Sequence, residues 1–136
     1  MVLRDKNFVS TIFAINKKKL FTLEEANELL PLVIKLTEES SRKVKKLINQ
    51  LEAFPDKKNQ KALELEEQVN KYIELWQTKI EKLGLRPKGL WLCDFDNGGG
   101  YFCWKYPESK ITFFHGYNEG FSGRKKLEID DSHATI

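Results

Sequence analysis

Ile80-Glu81-Lys82-Leu83-Gly84-Leu85-Arg86-Pro87-Lys88-Gly89-Leu90-Trp91-Leu92-Cys93-Asp94-Phe95 is where this chain changes character. Before Gly84, apolar residues recur at helical spacing among Glu and Lys; after it come short aromatic-rich runs separated by turn residues. Gly84 is well placed to end a helix in the left-handed conformation. A switch from helical to strand periodicity at one glycine predicts an α+β chain, helices first and sheet second.

Going back from Gly84, Leu83, Ile80, Trp76, Tyr72, Val69 and Leu65 form the apolar stripe of a helix over about 57–83. Ala53-Phe54-Pro55-Asp56 separates it from an earlier helix that opens at Thr22. Thr22 can cap that helix, and Glu25 can bond back to the cap amide, completing a capping box. Its stripe is Ala26, Leu30, Val33, Thr37, Ser40, Val44, Leu47 and Leu51, a heptad-like pattern. Pro31 lacks a backbone donor, which predicts a kink near Leu29 or Leu30. The short connection predicts an antiparallel, coiled-coil-like hairpin. At about 1.5 Å per residue each helix extends roughly 40 Å, more than the rest of the chain can cover. Part of the stripe must then face itself, a partner or water.

Going forward, residues 89–95, 101–106 and 111–115 read as three strands of an antiparallel meander. Asp96-Asn97-Gly98-Gly99-Gly100 and Pro107-Glu108-Ser109-Lys110 supply the turns. Centring the first turn on Gly98 pairs Cys93 with Cys103, Asp94 with Phe102 and Leu92 with Trp104. Leu90, Leu92, Phe102, Trp104 and Tyr106 then make a core face. A two-residue turn at Glu108-Ser109 adds Ile111, Phe113 and His115 to that face, with Asp94 and His115 flanking Phe102. A three-residue turn instead sets His115 beside Cys103 and Cys93. The apolar pattern favours the first register. Trp91, Phe95, Tyr101 and Phe114 fall on the other face, which therefore needs a cover, either residues 8–15 or another protomer.

The chain has 136 residues, 40% hydrophobic and 32% charged, with a net charge of +3. That is one domain's length. The excess charge comes mainly from Arg4, Lys6, Lys17, Lys18 and Lys19, a basic tail and not the basic face that nucleic acid requires. No apolar run approaches the roughly 20 residues of a membrane span, and residues 8–15 are followed by lysines where a signal peptide would have small residues. Two cysteines in a helix-rich chain fit a reducing cytoplasm.

The chemistry-bearing residues cluster near the C-terminus. Cys93, Cys103 and His115 offer thiolate and imidazole donors, the preferred ligands of zinc, without a zinc-knuckle spacing. Cys103 with His115 is a thiol–base pair, and Asp94 with His115 is a carboxylate–imidazole pair of the kind used in acid–base sites. Gly116, Gly120 and Gly123 followed by Arg124 suit a backbone nest for an anion, beside a guanidinium. Catalytic candidates are accordingly His115, Asp94 and Cys103. Ligand-binding candidates are Arg124, Gly120, Gly123 and Trp104, and metal candidates are Cys93, Cys103 and His115.

Phe21-Thr22-Leu23-Glu24-Glu25-Ala26-Asn27-Glu28-Leu29-Leu30-Pro31 resembles the opening of a prokaryotic family known as domain of unknown function 2203. Asp94-Phe95, Cys103-Trp104-Lys105, Glu108, Ile111, His115 and Glu119-Gly120-Phe121-Ser122-Gly123-Arg124 resemble its close. The resemblance covers about residues 20–127. It implies a helical hairpin with a small β unit in a cytoplasmic protein, and it implies no activity. It carries over Asp94, Cys103, Trp104, His115, Gly120, Phe121, Gly123 and Arg124, but not Cys93. Pro107, where a glycine is typical, and the short segment between Gly84 and Asp94 depart from the pattern.

The expected organisation is an N-terminal extension over 1–19 and a single domain over 20–127, with a frayed tail over 128–136. Within the domain, the hairpin occupies 22–84 and the meander with its Gly/Arg loop 89–124. The function expected first is a non-enzymatic, self-associating binding module. The alternative is a site at the meander edge where His115, Arg124, Asp94 and Cys103 hold an anion or a metal such as zinc.

Overall fold

A computed structural model describes residues 19–128. The expected N-terminal extension, the proposed covering segment 8–15 and nearly all of the tail lie outside the described residues. Two helices, α1 (Leu23–Glu52) and α2 (Gln60–Lys82), precede a five-stranded antiparallel sheet. Its strands β1 (Arg86–Gly89), β2 (Leu92–Asp96), β3 (Tyr101–Lys105), β4 (Phe113–His115) and β5 (Lys125–Lys126) pair in sequence order.

The helices start and stop on the expected chemistry. Glu25 N–H donates to Thr22 Oγ1 at 3.0 Å, and Thr22 N–H donates to Glu25 Oε1 at 2.9 Å, so the capping box is present. Pro31 lies inside α1, which runs through it without interruption. Asn59 caps α2, with its Oδ1 accepting from Lys61 N–H. Residues 57–59 are therefore a turn and not the first helical turn expected. Gly84 follows α2 at φ 94°, the left-handed conformation foreseen for it.

Ala26, Leu30 and Val33 of α1 pack with Trp76 and Ile80 of α2 against one face of the sheet. Thr37, in the middle of the α1 stripe, is fully buried because its hydroxyl accepts the Trp76 indole N–H at 2.8 Å. The main core cluster goes no further along the hairpin. Val44 and Ala62 are buried beyond it, but stand outside that cluster.

Three expectations for the sheet are corrected. There are five strands, not three. β1 contains Pro87 and Gly89, which weaken its strand signal, and β5 is two lysines just past the Gly/Arg loop, where no strand was expected.

The first hairpin is also displaced by one residue: Asp94 pairs with Cys103, Cys93 with Trp104 and Phe95 with Phe102. Asn97 N–H donates to Gly100 O, while Asp96 and Asn97 side chains accept from Gly98 and Gly99 N–H. These bonds centre the loop between Gly98 and Gly99. A one-residue slip exchanges the faces, so the core face carries Cys93 and Phe95 with Phe102 and Trp104.

The third correction concerns β3 and β4, which are joined by residues 106–112 instead of a tight turn, and which pair Cys103 with Phe113 and Tyr101 with His115. Leu92, Phe113 and His115 leave the face assigned to them. Leu90, also expected in the core, is 49% exposed in the turn between β1 and β2.

Candidate functional site

The register gathers three chemically distinct side chains on the sheet face away from the helices. Asp94 of β2 and Cys103 of β3 are directly paired, and His115 of β4 pairs with Tyr101, two residues before Cys103. The sequence offered Asp94 with His115, or Cys103 with His115, as alternatives. The structure joins both pairs and sends Cys93 to the opposite face, against the core.

Asp94, Cys103 and His115 are all buried, and one donor atom from each lies within 4.8 Å of the other two. His115 Nε2 is 3.1 Å from Asp94 Oδ2. On the ring's other side, Nδ1 is 3.0 Å from the Gly116 carbonyl oxygen. That oxygen can only accept, so Nδ1 carries the proton. In a neutral ring, Nε2 then presents its lone pair toward Asp94. Neither oxygen of the Asp94 carboxyl has a well-aligned hydrogen-bond donor among the described residues.

Burial pushes the Asp94 carboxyl above its usual range, against the opposing pull of His115 and Lys88. Burial, reinforced by Asp94, pushes the Cys103 thiol up to about 12. Cys93 is raised as well, first by burial and then by Asp94 and Cys103. A thiol held that high is a poor free nucleophile at neutral pH. A carboxyl and imidazole so buried reach no substrate without an opening. The donor set is nevertheless one that suits a transition-metal ion.

Arg124 closes this face. Its guanidinium lies 3.8 Å from the Phe113 ring centroid and 4.7 Å from that of Phe121. Nη2 donates to Glu108 Oε1 at 2.8 Å and to the Cys103 carbonyl at 3.3 Å. Nε lacks an acceptor among the described residues. An incoming anion would compete with Glu108 for this group.

The glycine loop already holds a carboxylate: Gly116 N–H donates to Glu119 Oε1 at 2.7 Å, and Gly123 packs against the Glu119 side chain. Gly120 is open. Trp104 lies in the core and its indole N–H donates to the Glu108 carbonyl at 2.7 Å.

Glu108 and Glu119 are the residues whose roles sequence reasoning missed. Their partners lie across loops, where no periodicity announces a contact. Tyr101 was also missed: its ring stands 5.5 Å from that of His115 and 5.1 Å from that of Tyr117. Tyr117 O–H in turn donates to Asp96 Oδ1 at 2.6 Å.

Fold and site together describe an α+β protein in which a helical hairpin backs a β-meander with a buried Asp–Cys–His cluster. The profile of the family described as "Uncharacterized conserved protein (DUF2203)" matches residues 19–127, and the chain belongs to that family. Comparison with curated proteins and with solved structures gives no match. No helix among the described residues is long and apolar enough to cross a membrane.

Proposed function

We propose that the chain is a non-enzymatic binding and assembly module that self-associates through the distal half of its helical hairpin. The carrying observation is that the core stops partway along the hairpin, at the level of Thr37 and Trp76. Beyond it Leu47, Ile48, Leu51, Leu65 and Val69 are only half-buried, and Leu63 is 45% exposed.

The balance of charge differs there: α1 carries Arg42, Lys43, Lys45 and Lys46 against Glu52, and α2 carries Glu64, Glu66 and Glu67 against Lys61 and Lys71. The two ion pairs found among the described residues both lie in the sheet region. The hairpin's own charges therefore form no bridge between its helices. In a two-fold dimer the basic stretch of one copy can lie along the acidic stretch of the other, the self-complementarity such symmetry requires.

Sedimentation of the full chain at low and high salt tests this. A dimer is expected, with Lys45→Glu/Lys46→Glu weakening it at least about tenfold, or about 1.4 kcal/mol. Adding Glu66→Lys/Glu67→Lys to that variant should restore association. A monomer at every concentration up to about 100 μM, where an interface of even micromolar affinity would be populated, would overturn the proposal.

A further inference from the structure

The buried cluster on the other side of the molecule presents a separate problem of chemistry, independent of self-association. Asp94 is 1% exposed, and among the described residues its carboxyl oxygens have no well-aligned donor, only His115 and the Cys103 thiol close by, although burying such a group normally demands partners. Its nearest polar neighbour, His115 Nε2, offers a lone pair whenever the ring is neutral, because Nδ1 is committed to the Gly116 carbonyl. Two acceptors facing each other at 3.1 Å repel unless something positive lies against both.

A proton on either group, with the Cys103 S–H turned toward the Asp94 carboxyl, is one remedy. A metal cation is the other, and it engages all three side chains at once. Two donors bound at about 2 Å in a tetrahedron stand about 3.3 Å apart, close to the separation seen. Cys103 Sγ completes a set whose atoms all lie within 4.8 Å of one another. A carboxylate, a thiolate and a neutral imidazole carry two negative charges in all, so a divalent ion leaves the buried centre neutral. The hydrogen bond from Nδ1 to a backbone carbonyl is the outer-shell arrangement that orients a metal-binding histidine.

We propose that Asp94, Cys103 and His115, one from each of three adjacent strands, form a three-donor site for a single divalent transition-metal ion of zinc-like softness. Mixed sulfur, nitrogen and oxygen donors select such ions over magnesium or calcium. Binding releases the thiol proton and, where Asp94 is protonated, that proton as well. Cys93 takes no part, because it points into the core on the opposite face.

The test is titration of the full-length, reduced, chelator-treated chain with Co2+, followed by absorbance and then by Zn2+ displacement. One equivalent is expected, with the strong visible bands of a tetrahedral site and a near-ultraviolet thiolate-to-cobalt band. The thiolate band should disappear in Cys103→Ser and persist in Cys93→Ser, while Asp94→Asn and His115→Gln should weaken Co2+ binding at least about 100-fold, a loss at the upper end of what even a second-shell change produces. Circular dichroism identifies any variant that has lost its fold. In that event the wild-type spectrum still decides, since it reports directly whether one thiolate is bound. A wild-type spectrum showing nothing beyond the weak bands of hexaaqua cobalt would overturn the proposal. So would a thiolate band that survives Cys103→Ser in a folded protein.

Discussion

Trp76 is fully buried, and its one polar atom is satisfied by the hydroxyl of Thr37 on the facing helix. This explains a threonine in an otherwise apolar stripe: a valine there would have the same shape and no acceptor. Thr37→Val should therefore destabilise the protein by about 1–3 kcal/mol, the cost of stranding a buried donor. Urea unfolding followed by tryptophan fluorescence would measure it; a neutral substitution would mean that the indole N–H finds another acceptor. Asp94 shows the reverse at the same scale. It is a buried carboxyl with His115 Nε2 at 3.1 Å and no well-aligned donor among the described residues, a local inconsistency of the kind found at functional or strained sites.

Among the elements, the loop between β2 and β3 governs the site. Four residues, closed by Asn97 N–H to Gly100 O, decide which residues of β2 share a face with Cys103. A Cβ on Gly100 would lie 2.7 Å from the His115 carbonyl oxygen and 2.7 Å from Phe114 Cζ. A Cβ on Gly98, at φ 93°, would touch only Leu20, at 3.7 Å. Gly100→Ala should therefore cost about 1–3 kcal/mol and displace β4. Gly98→Ala should cost only about 1 kcal/mol, for its backbone conformation. Thermal unfolding of the pair gives the order, and equal losses would count against this account of Gly100. The clash falls on the His115 backbone, so Gly100→Ala should also shift the His115 ring resonances by NMR.

For the molecule as a whole, stability should grade along the hairpin. Helices held by tertiary packing open where that packing ends. At concentrations where the chain is monomeric, amides beyond Val44 in α1 and before Tyr72 in α2 should exchange through openings at least about 2 kcal/mol cheaper than those around Ala26, Val33, Trp76 and Ile80. Uniform protection along both helices would show that the hairpin is stable without the sheet.

Much of this architecture was legible in local chemistry. The Thr22–Glu25 capping box, the two apolar stripes, Gly84 as a helix terminator and the glycine-rich turns each express a preference that a few neighbouring residues suffice to create, and the α+β order of the chain follows from them. The residues of the buried cluster could be picked out by type, but their grouping could not. Strand register depends on how a loop closes, and on which face finds helices to pack against. A slip of one residue reverses every side chain at almost no local cost. Only when α1 and α2 buried Cys93, Phe95, Phe102 and Trp104 was the opposite parity left for Asp94, Cys103 and His115. Long-range burial settled that choice, because the energy that separates the two registers is spread over the whole core and held by no short stretch of chain.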